Sequence, residues 1–287
     1  MFKFAGIKRG KEYSPNHLEN DSLIFNKTIE ELENLNAKVC VYDEDLVSES
    51  LIKEKYIFNM IRGSVSLEKL FKIEENGAFI INPPRAILNC YRENMAKLLP
   101  GNGVPFPKSI LVNTNEEIEN KLNGFESGKL WVKRGDVHAI HREDVTLVYN
   151  KNEMKSIIKE YERRGIKKAI IQENLDGDVI KFYGVKDSDF FYWYYLNGTN
   201  HTTFDVAKFQ EIARKSAEVL GVTIYGGDAI ISPDGSITVI DLNDWPSYAP
   251  IRDKAAKYIA EAIYRQAKEH REKSEVKKSL SEENISN

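Results

Sequence analysis

The sequence predicts a mixed fold. An α/β lobe with a parallel sheet comes first, and α+β lobes built on antiparallel strand pairs follow. Three observations lead there. In the first third, short apolar runs alternate with stretches of helical apolar spacing. Further on, DVIKFYGV with FFYWYYL, and VTIYGGDAII with SITVIDLN, follow one another at hairpin distance. With 287 residues, 41% apolar and 30% charged, the chain is long enough for two or three small lobes with their own cores.

The elements follow in order. FKFAGI is a short strand. From about Asn16 to Leu35, apolar residues at Ile24, Ile29, Leu32 and Leu35 have helical spacing. AKVCVY and YIFNMI are buried strands. SVSLEKLFKIEENG is a helix capped by Ser64 and Gly77, and AFIIN is a strand stopped by Pro83-Pro84. This lobe covers about residues 1–85, and its ligands belong at the strand ends. A linker helix from about Arg85 to Leu99 and a lid follow, to about residue 175. The lid holds SILV, a helix near Glu116–Leu122, LWVK, VTLVY, the amphipathic EMKSIIKEYERRG and the strand KKAIIQEN. The last lobe, 176–270, contains the two antiparallel pairs, a helix from Asp205 to Leu220 and a final helix over about Arg252–Glu269. The polar tail 271–287 is expected to be disordered.

Composition closes several doors. With 41 basic and 44 acidic residues the net charge is −3, so no global basic field calls for nucleic acid. Two cysteines, Cys40 and Cys90, cannot build a disulfide framework and read as reduced core thiols. No 18-residue apolar run is present, so no membrane span is expected. MFKFAGIKRG lacks the apolar core of a signal peptide. A cytoplasmic location is the expectation.

Four constellations could carry chemistry. In VIDLNDWPSY, Asp241 and Asn243 alternate onto one strand face, and Asp228 lies on the preceding strand. Three oxygen donors on one face suit a hard cation that shares substrate phosphates. The bland alternative is a pair of exposed carboxylates beside a turn. In LWVKRGDVHAIH, Lys133 ends an apolar strand, where a lone ammonium is costly without a phosphate. Arg134, His138, His141 and Arg142 follow, a group able to clamp phosphoryl oxygens or, more simply, a solvated basic loop. In AIIQENLDGDVIKF, a buried strand ending in Gln172-Glu173-Asn174-Leu175 can offer its backbone to a base. Glu173 and Asp178 could take ribose hydroxyls there, and Lys181 a phosphate; the plain reading is a polar β-turn. Lys8, Arg9, Lys11 and Arg62 lie at or after strand ends, where ligands bind in open α/β sheets; the equal alternative for this stretch is a helix cap by Asn16 or Asn20-Asp21.

Taken together and in this order, NPPRAILNCYRENMAKLL…GVPFP, LWVK, IIQENLDGD and GGDAII…VIDLNDWP resemble the ATP-grasp superfamily over nearly the whole chain. The resemblance implies an ATP-grasp fold behind an N-terminal Rossmann-like lobe. It makes Asp228, Asp241 and Asn243 magnesium ligands, Lys133 the phosphate-binding lysine and Glu173 through Leu175 the adenine hinge. Gln172, Asp178 and Lys181 join the nucleotide site. Arg134 and His138 join the catalytic group, and Lys8, Arg9, Arg62, His138 and His141 the acceptor side. The cofactors implied are ATP and magnesium, the partner a small-molecule acceptor, and a homodimer is the assembly suggested.

The sequence departs from the ligase pattern at Asp241, where most ligases similar to glutathione synthetase or the ribosomal-protein glutamate ligase have Glu. The Lys133–His138 spacing is similar to that of inositol-trisphosphate kinases. Gly226 stands where several dipeptide ligases carry an Arg. Two activities stay open on these residues: a carboxylate–amine (or carboxylate–thiol) ligase, slightly favoured, and a kinase of a phosphorylated polyol. A nucleotide-binding protein without catalysis is a third reading, disfavoured by the intact Asp228, Asp241, Asn243 and Lys133 set.

Overall fold

The computed structural model describes residues 1–14, 18–118, 125, 128–136, 140–198 and 200–283, with the backbone alone for 277–283. Three four-stranded sheets organise it. The first holds β1 (Lys3–Ile7), β2 (Lys38–Tyr42), β3 (Tyr56–Asn59) and β4 (Phe79–Ile81), all parallel, in the order β2-β1-β3-β4. β3 reads as a continuous apolar run because both of its faces are covered. Phe58 packs with Ile24 and Phe25 of α1 (Leu18–Asn34). Ile57 packs with Leu67 and Leu70 of α2 (Ser64–Glu75). Gly63, one residue earlier than expected, precedes the first turn of α2. β2 is a half-exposed edge strand rather than a buried one.

The expected single linker helix is two helices, α3 (Pro84–Asn89) and α4 (Arg92–Gly101). Two hydrogen bonds hold the break at Tyr91, one tertiary and one local. The Tyr91 hydroxyl donates to the Arg62 carbonyl at 2.6 Å, and the Asn94 amide caps the Leu88 carbonyl at 2.8 Å.

The second sheet is antiparallel, in the order β5-β8-β6-β7. It comprises β5 (Ser109–Asn113), β6 (Leu130–Arg134), β7 (Val145–Val148) and β8 (Lys168–Glu173), backed by α5 (Lys151–Arg163). Most of the helix expected near Glu116–Leu122 lies outside the described residues. The third sheet, also antiparallel, has the order β10-β9-β11-β12. Its strands are β9 (Asp178–Val185), β10 (Phe191–Tyr195), β11 (Ile224–Ile231) and β12 (Ile237–Asp244). One face of this sheet is buried under α4 and α6 (Val206–Leu220) through Met95, Leu99, Phe209 and Leu220. Asp205 caps α6 by accepting from the Lys208 N–H, as the sequence predicts.

α7 (Arg252–Glu283) returns to the first sheet, where Ile259 and Ile263 join the core of Phe2, Phe4 and Phe58. The helix runs through most of the tail that was expected to be disordered. Nothing in REKSEVKKSLSEE interrupts a helix, and Arg271–Glu275 pairs at i,i+4 support it. Cys40 and Cys90 are free thiols. Among the described residues, no helix is long and apolar enough to cross a membrane.

Candidate active site

The floor of the site is the open face of the third sheet. Asp228 stands opposite Asp241 across β11–β12, Lys181 stands opposite Asp228 across β9–β11, and Tyr194 stands opposite Lys181. Side chains at paired positions share a face. One row therefore reads Tyr194–Lys181–Asp228–Asp241. The adjacent row, two residues along each strand, reads Tyr192–Tyr183–Gly226–Asn243.

A β-bulge makes this row. The register between β11 and β12 shifts between Asp228 and Ala229, so Ala229 pairs with Val239 and Ile240 is the extra residue. Without it, Asp241 would alternate onto the face of Val239, which is packed under α6. The bulge lets Val239 stay in the core while Asp241 turns into the cleft.

Two like charges directly opposite each other are costly. Cations offset the cost. The Lys181 ammonium lies 2.7 Å from Asp228, and the Arg92 guanidinium lies 3.1 Å from Asp241. Burial raises the Asp228 carboxyl above its ordinary value despite the pull of Lys181, and the neighbouring Asp241 raises it further. Burial would lower Lys181, but Asp228 overrides it and holds the ammonium up. The Asn243 side chain, half-buried on the same face, makes no hydrogen bond to another described residue. Two carboxylates and a free amide on one face fit a magnesium ion that takes its remaining oxygens from phosphates. No group of three or more His, Cys, Asp and Glu side chains with metal-binding geometry exists among the described residues. Asp228, Asp241 and Asn243 can offer a cation oxygen donors.

The second sheet supplies the opposite wall. Lys133 is 7% exposed, and its ammonium donates to Gln172 Oε1 at 2.6 Å. Gln172 Nε2 donates to Ser109 Oγ, whose hydroxyl donates to the Pro107 carbonyl. This chain orients the amide. The same ammonium reaches the carbonyl of Ile240, the bulge residue, at 3.5 Å, so it bridges the two sheets. Burial brings Lys133 down to about 8. Asp241 and Asp228 oppose that and Arg92 adds to it.

β8 leaves the second sheet at Glu173 and the chain enters the third at Asp178. Glu173 is spent on structure: its N–H bonds Lys108 O at 3.0 Å and its carboxylate accepts from Lys108 N at 2.6 Å. Asn174 Oδ1 accepts from the Trp131 indole at 3.1 Å, which fixes the hinge to β6. The main-chain N–H groups of Asn174 and Leu175 make no hydrogen bond to other described residues.

Several expected residues are not brought to this cleft. Asp178 alternates with Ile180 and Phe182, so it lies on the α6 side of β9, and it accepts from the Thr202 N–H at 2.7 Å. That face excludes it from the group around Lys181. Arg134 is bound by Asp136 at 2.6 Å and by the buried Asp144 at 3.1 Å. Arg164 pairs with the same Asp144, and His141 is exposed, its N–H also donating to Asp144. This is a structural knot rather than an open clamp. His138 lies outside the described residues. Lys8, 44% exposed at its side chain, borders a cavity of about 740 Å³ at the end of β1, together with Arg9, Lys11 and Asp21. Arg9 is consumed by three bonds: Nε to Met60 O, Nη1 to Asp21 and Nη2 to Trp245 O. Arg62 is buried, and its guanidinium has no partner among the described residues.

Arg92 and Tyr194 were not expected from sequence. Arg92 enters from α4, and Tyr194 from the edge strand β10. Gly226 keeps the floor flat, since a Cβ there would stand 2.8 Å from Phe182 O, Pro246 Cγ and Tyr183 Cδ1.

Two sheets that close on a lysine, a hinge and a carboxylate pair decide the architecture once compared with solved structures. The D-alanine-D-alanine ligase from Coxiella burnetii superposes with a TM-score of 0.75 at 14% identity, over 98% of this chain and 99% of that one. A RimK domain ATP-grasp protein from Sphaerobacter thermophilus matches with a TM-score of 0.68 at 15% identity, over 91% and 99%. The ATP-grasp ligase PsnB complexed with a minimal precursor matches with a TM-score of 0.60 at 16% identity, over 92% and 99%. This chain has the ATP-grasp fold. No protein-family model and no curated protein sequence matches it.

Proposed function

We propose that the chain is an ATP-dependent ligase that joins a carboxylate to an amine or thiol. The observation that carries this reading is the row Lys181–Asp228–Asp241, roofed by Lys133 and edged by Arg92. Such a group suits phosphoryl transfer, where positioning and charge compensation do most of the work. The likeness to D-alanine-D-alanine ligase and PsnB favours a carboxylate as the group that receives the phosphoryl.

ATP would lie between the two sheets, its base against the Asn174–Leu175 main chain and its phosphates against Lys133 and Lys181. Magnesium, held by Asp228, Asp241 and Asn243, would neutralise phosphoryl oxygens. A carboxylate oxygen of the acceptor attacks Pγ, the bond from Pγ to the bridging oxygen breaks, and ADP leaves. The acyl phosphate is then attacked by the amine or thiol. Its C–O bond breaks, phosphate departs and the nucleophile gives up a proton. Arg92, whose Nε and Nη1 have no partner among the described residues, is placed to hold the transferred group as charge shifts onto the leaving oxygen. The first lobe, about residues 1–85, supplies the acceptor side.

The test is ADP release with magnesium and ATP across pooled carboxylates, with and without amines, and across sugar and inositol phosphates. Turnover that requires both a carboxylate and an amine or thiol supports the ligase. Turnover with a phosphorylated polyol alone would replace it with a kinase.

A further inference from the structure

Two guanidiniums sit at the carboxyl ends of neighbouring strands, Arg9 after β1 and Arg62 after β3, and each residue is 9% exposed. Arg9 is saturated by Met60 O, Asp21 and Trp245 O. Arg62 is the opposite. Its guanidinium has no hydrogen bond and no ion pair among the described residues, and its Nε is buried without a partner. Burial and the neighbouring Arg9 lower it to about 10, while Asp244, Asp21 and Asp241 pull the other way. A buried guanidinium without a partner is costly and is not retained for stability.

Its backbone, by contrast, is held on both sides. The Arg62 N–H donates to Glu44 Oε1 at 3.1 Å, and its carbonyl accepts from the Tyr91 hydroxyl at 2.6 Å. Gly63 N–H meets the same Glu44 oxygen at 2.6 Å. Tyr13 packs so closely that a Cβ on Gly63 would stand 2.5 Å from its hydroxyl. The loop thus fixes the Arg62 backbone and leaves the charge of its side chain unmatched.

We propose that Arg62 receives an oxyanion of the acceptor substrate, a carboxylate or a phosphate group. The planar fork of Arg suits either by two parallel hydrogen bonds. The nucleotide phosphates have their own cations, Lys133 and Lys181 on the sheets, so the anion at Arg62 belongs to the molecule entering from the first lobe. This proposal rests on the phosphoryl-transfer reading for the word acceptor, but its test does not.

The test is calorimetric titration with inorganic phosphate and with acetate, run on protein loaded with magnesium and AMP-PNP and on nucleotide-free protein. Wild type, R62K and R62M are compared, together with their melting temperatures. Wild type is expected to bind at least one anion. R62M should bind it at least about ten-fold more weakly, with R62K between the two. Nucleotide affinity should be unchanged, and R62M should melt at the same temperature or higher. Stronger binding of phosphate identifies a phosphorylated acceptor, and stronger binding of acetate a carboxylate. The proposal is overturned if wild type binds neither anion, if R62M binds as well as wild type, or if R62M loses nucleotide affinity or melts lower. Failure of AMP-PNP to bind would sink the proposed function, while the nucleotide-free titration still decides the role of Arg62.

Discussion

Asp241 lies directly across from Asp228 only because Ile240 bulges out of β12. The same bulge turns the Ile240 carbonyl toward Lys133. One extra residue therefore aims a carboxylate and positions the lysine of the opposite sheet.

Asp241→Asn should keep the fold, since the amide oxygen still accepts from Arg92. It should cut magnesium-dependent ADP release by roughly 10²-fold or more, because one negative charge leaves the cation site. A magnesium titration of turnover, with the melting temperature as control, checks this. Near-normal turnover at saturating magnesium would remove Asp241 from the metal site.

Lys133, held at about 8, gives a pH signature. Its ammonium is the form that meets phosphate, so ATP affinity should fall as pH rises past about 8, by up to about ten-fold from pH 7 to 9. Stability moves the other way. The unfolded chain keeps the proton up to the ordinary value of 10.5, so stability rises with pH between about 8 and 10.5. Lys133→Met should flatten both slopes. Binding isotherms and urea melts at pH 7, 8 and 9 read them.

Arg9→Met should destabilise the protein by about 3–5 kcal/mol, because it leaves the buried Asp21 without its cation. It also unties Trp245, which stacks on Phe58 with ring centroids 5.8 Å apart. The urea midpoint measures the loss. Wild-type stability in this variant would return Arg9 to the acceptor side.

Asp144 predicts the acid limb. Burial alone would raise it. The N–H groups of His141 and Ile140, with Arg164 and Arg134, outweigh burial and hold it at about 2. A depressed carboxyl contributes stability above its unfolded value, ordinarily 3.8, and loses it as pH falls towards 2. Asp144→Asn should be less stable at pH 7 and should lose less on going from pH 4 to pH 2. Parallel acid melts of the two proteins would contradict the assignment.

The shared face of Asp241 and Asn243 was legible because strand alternation places them together. The bulge was not, since nothing in VIDLND separates a regular strand from one with an extra residue. Lys133, Gln172 and Lys181 were readable as polar groups in apolar strands. Arg9 and Arg62 look equivalent in sequence, two cations after strands. What separates them is the Trp245 carbonyl, 236 positions away from Arg9. Arg92 was missed because its role comes from the docking of α4, which is non-local. Tyr194 was missed although the β9–β10 pair was read, because the register that sets it opposite Lys181 was not. Asp178 fell on the wrong face by one residue of alternation, which a turn as irregular as LDGD does not reveal.

The most direct test of the central claim is trapping with hydroxylamine. The protein is incubated with ATP, magnesium, hydroxylamine and pooled carboxylates, and hydroxamate is quantified beside ADP. An acyl phosphate made in this cleft predicts hydroxamate that requires ATP and carboxylate and disappears in Asp241→Asn. ADP formed without hydroxamate, together with a stable phosphate ester on a hydroxyl acceptor, would contradict the ligase.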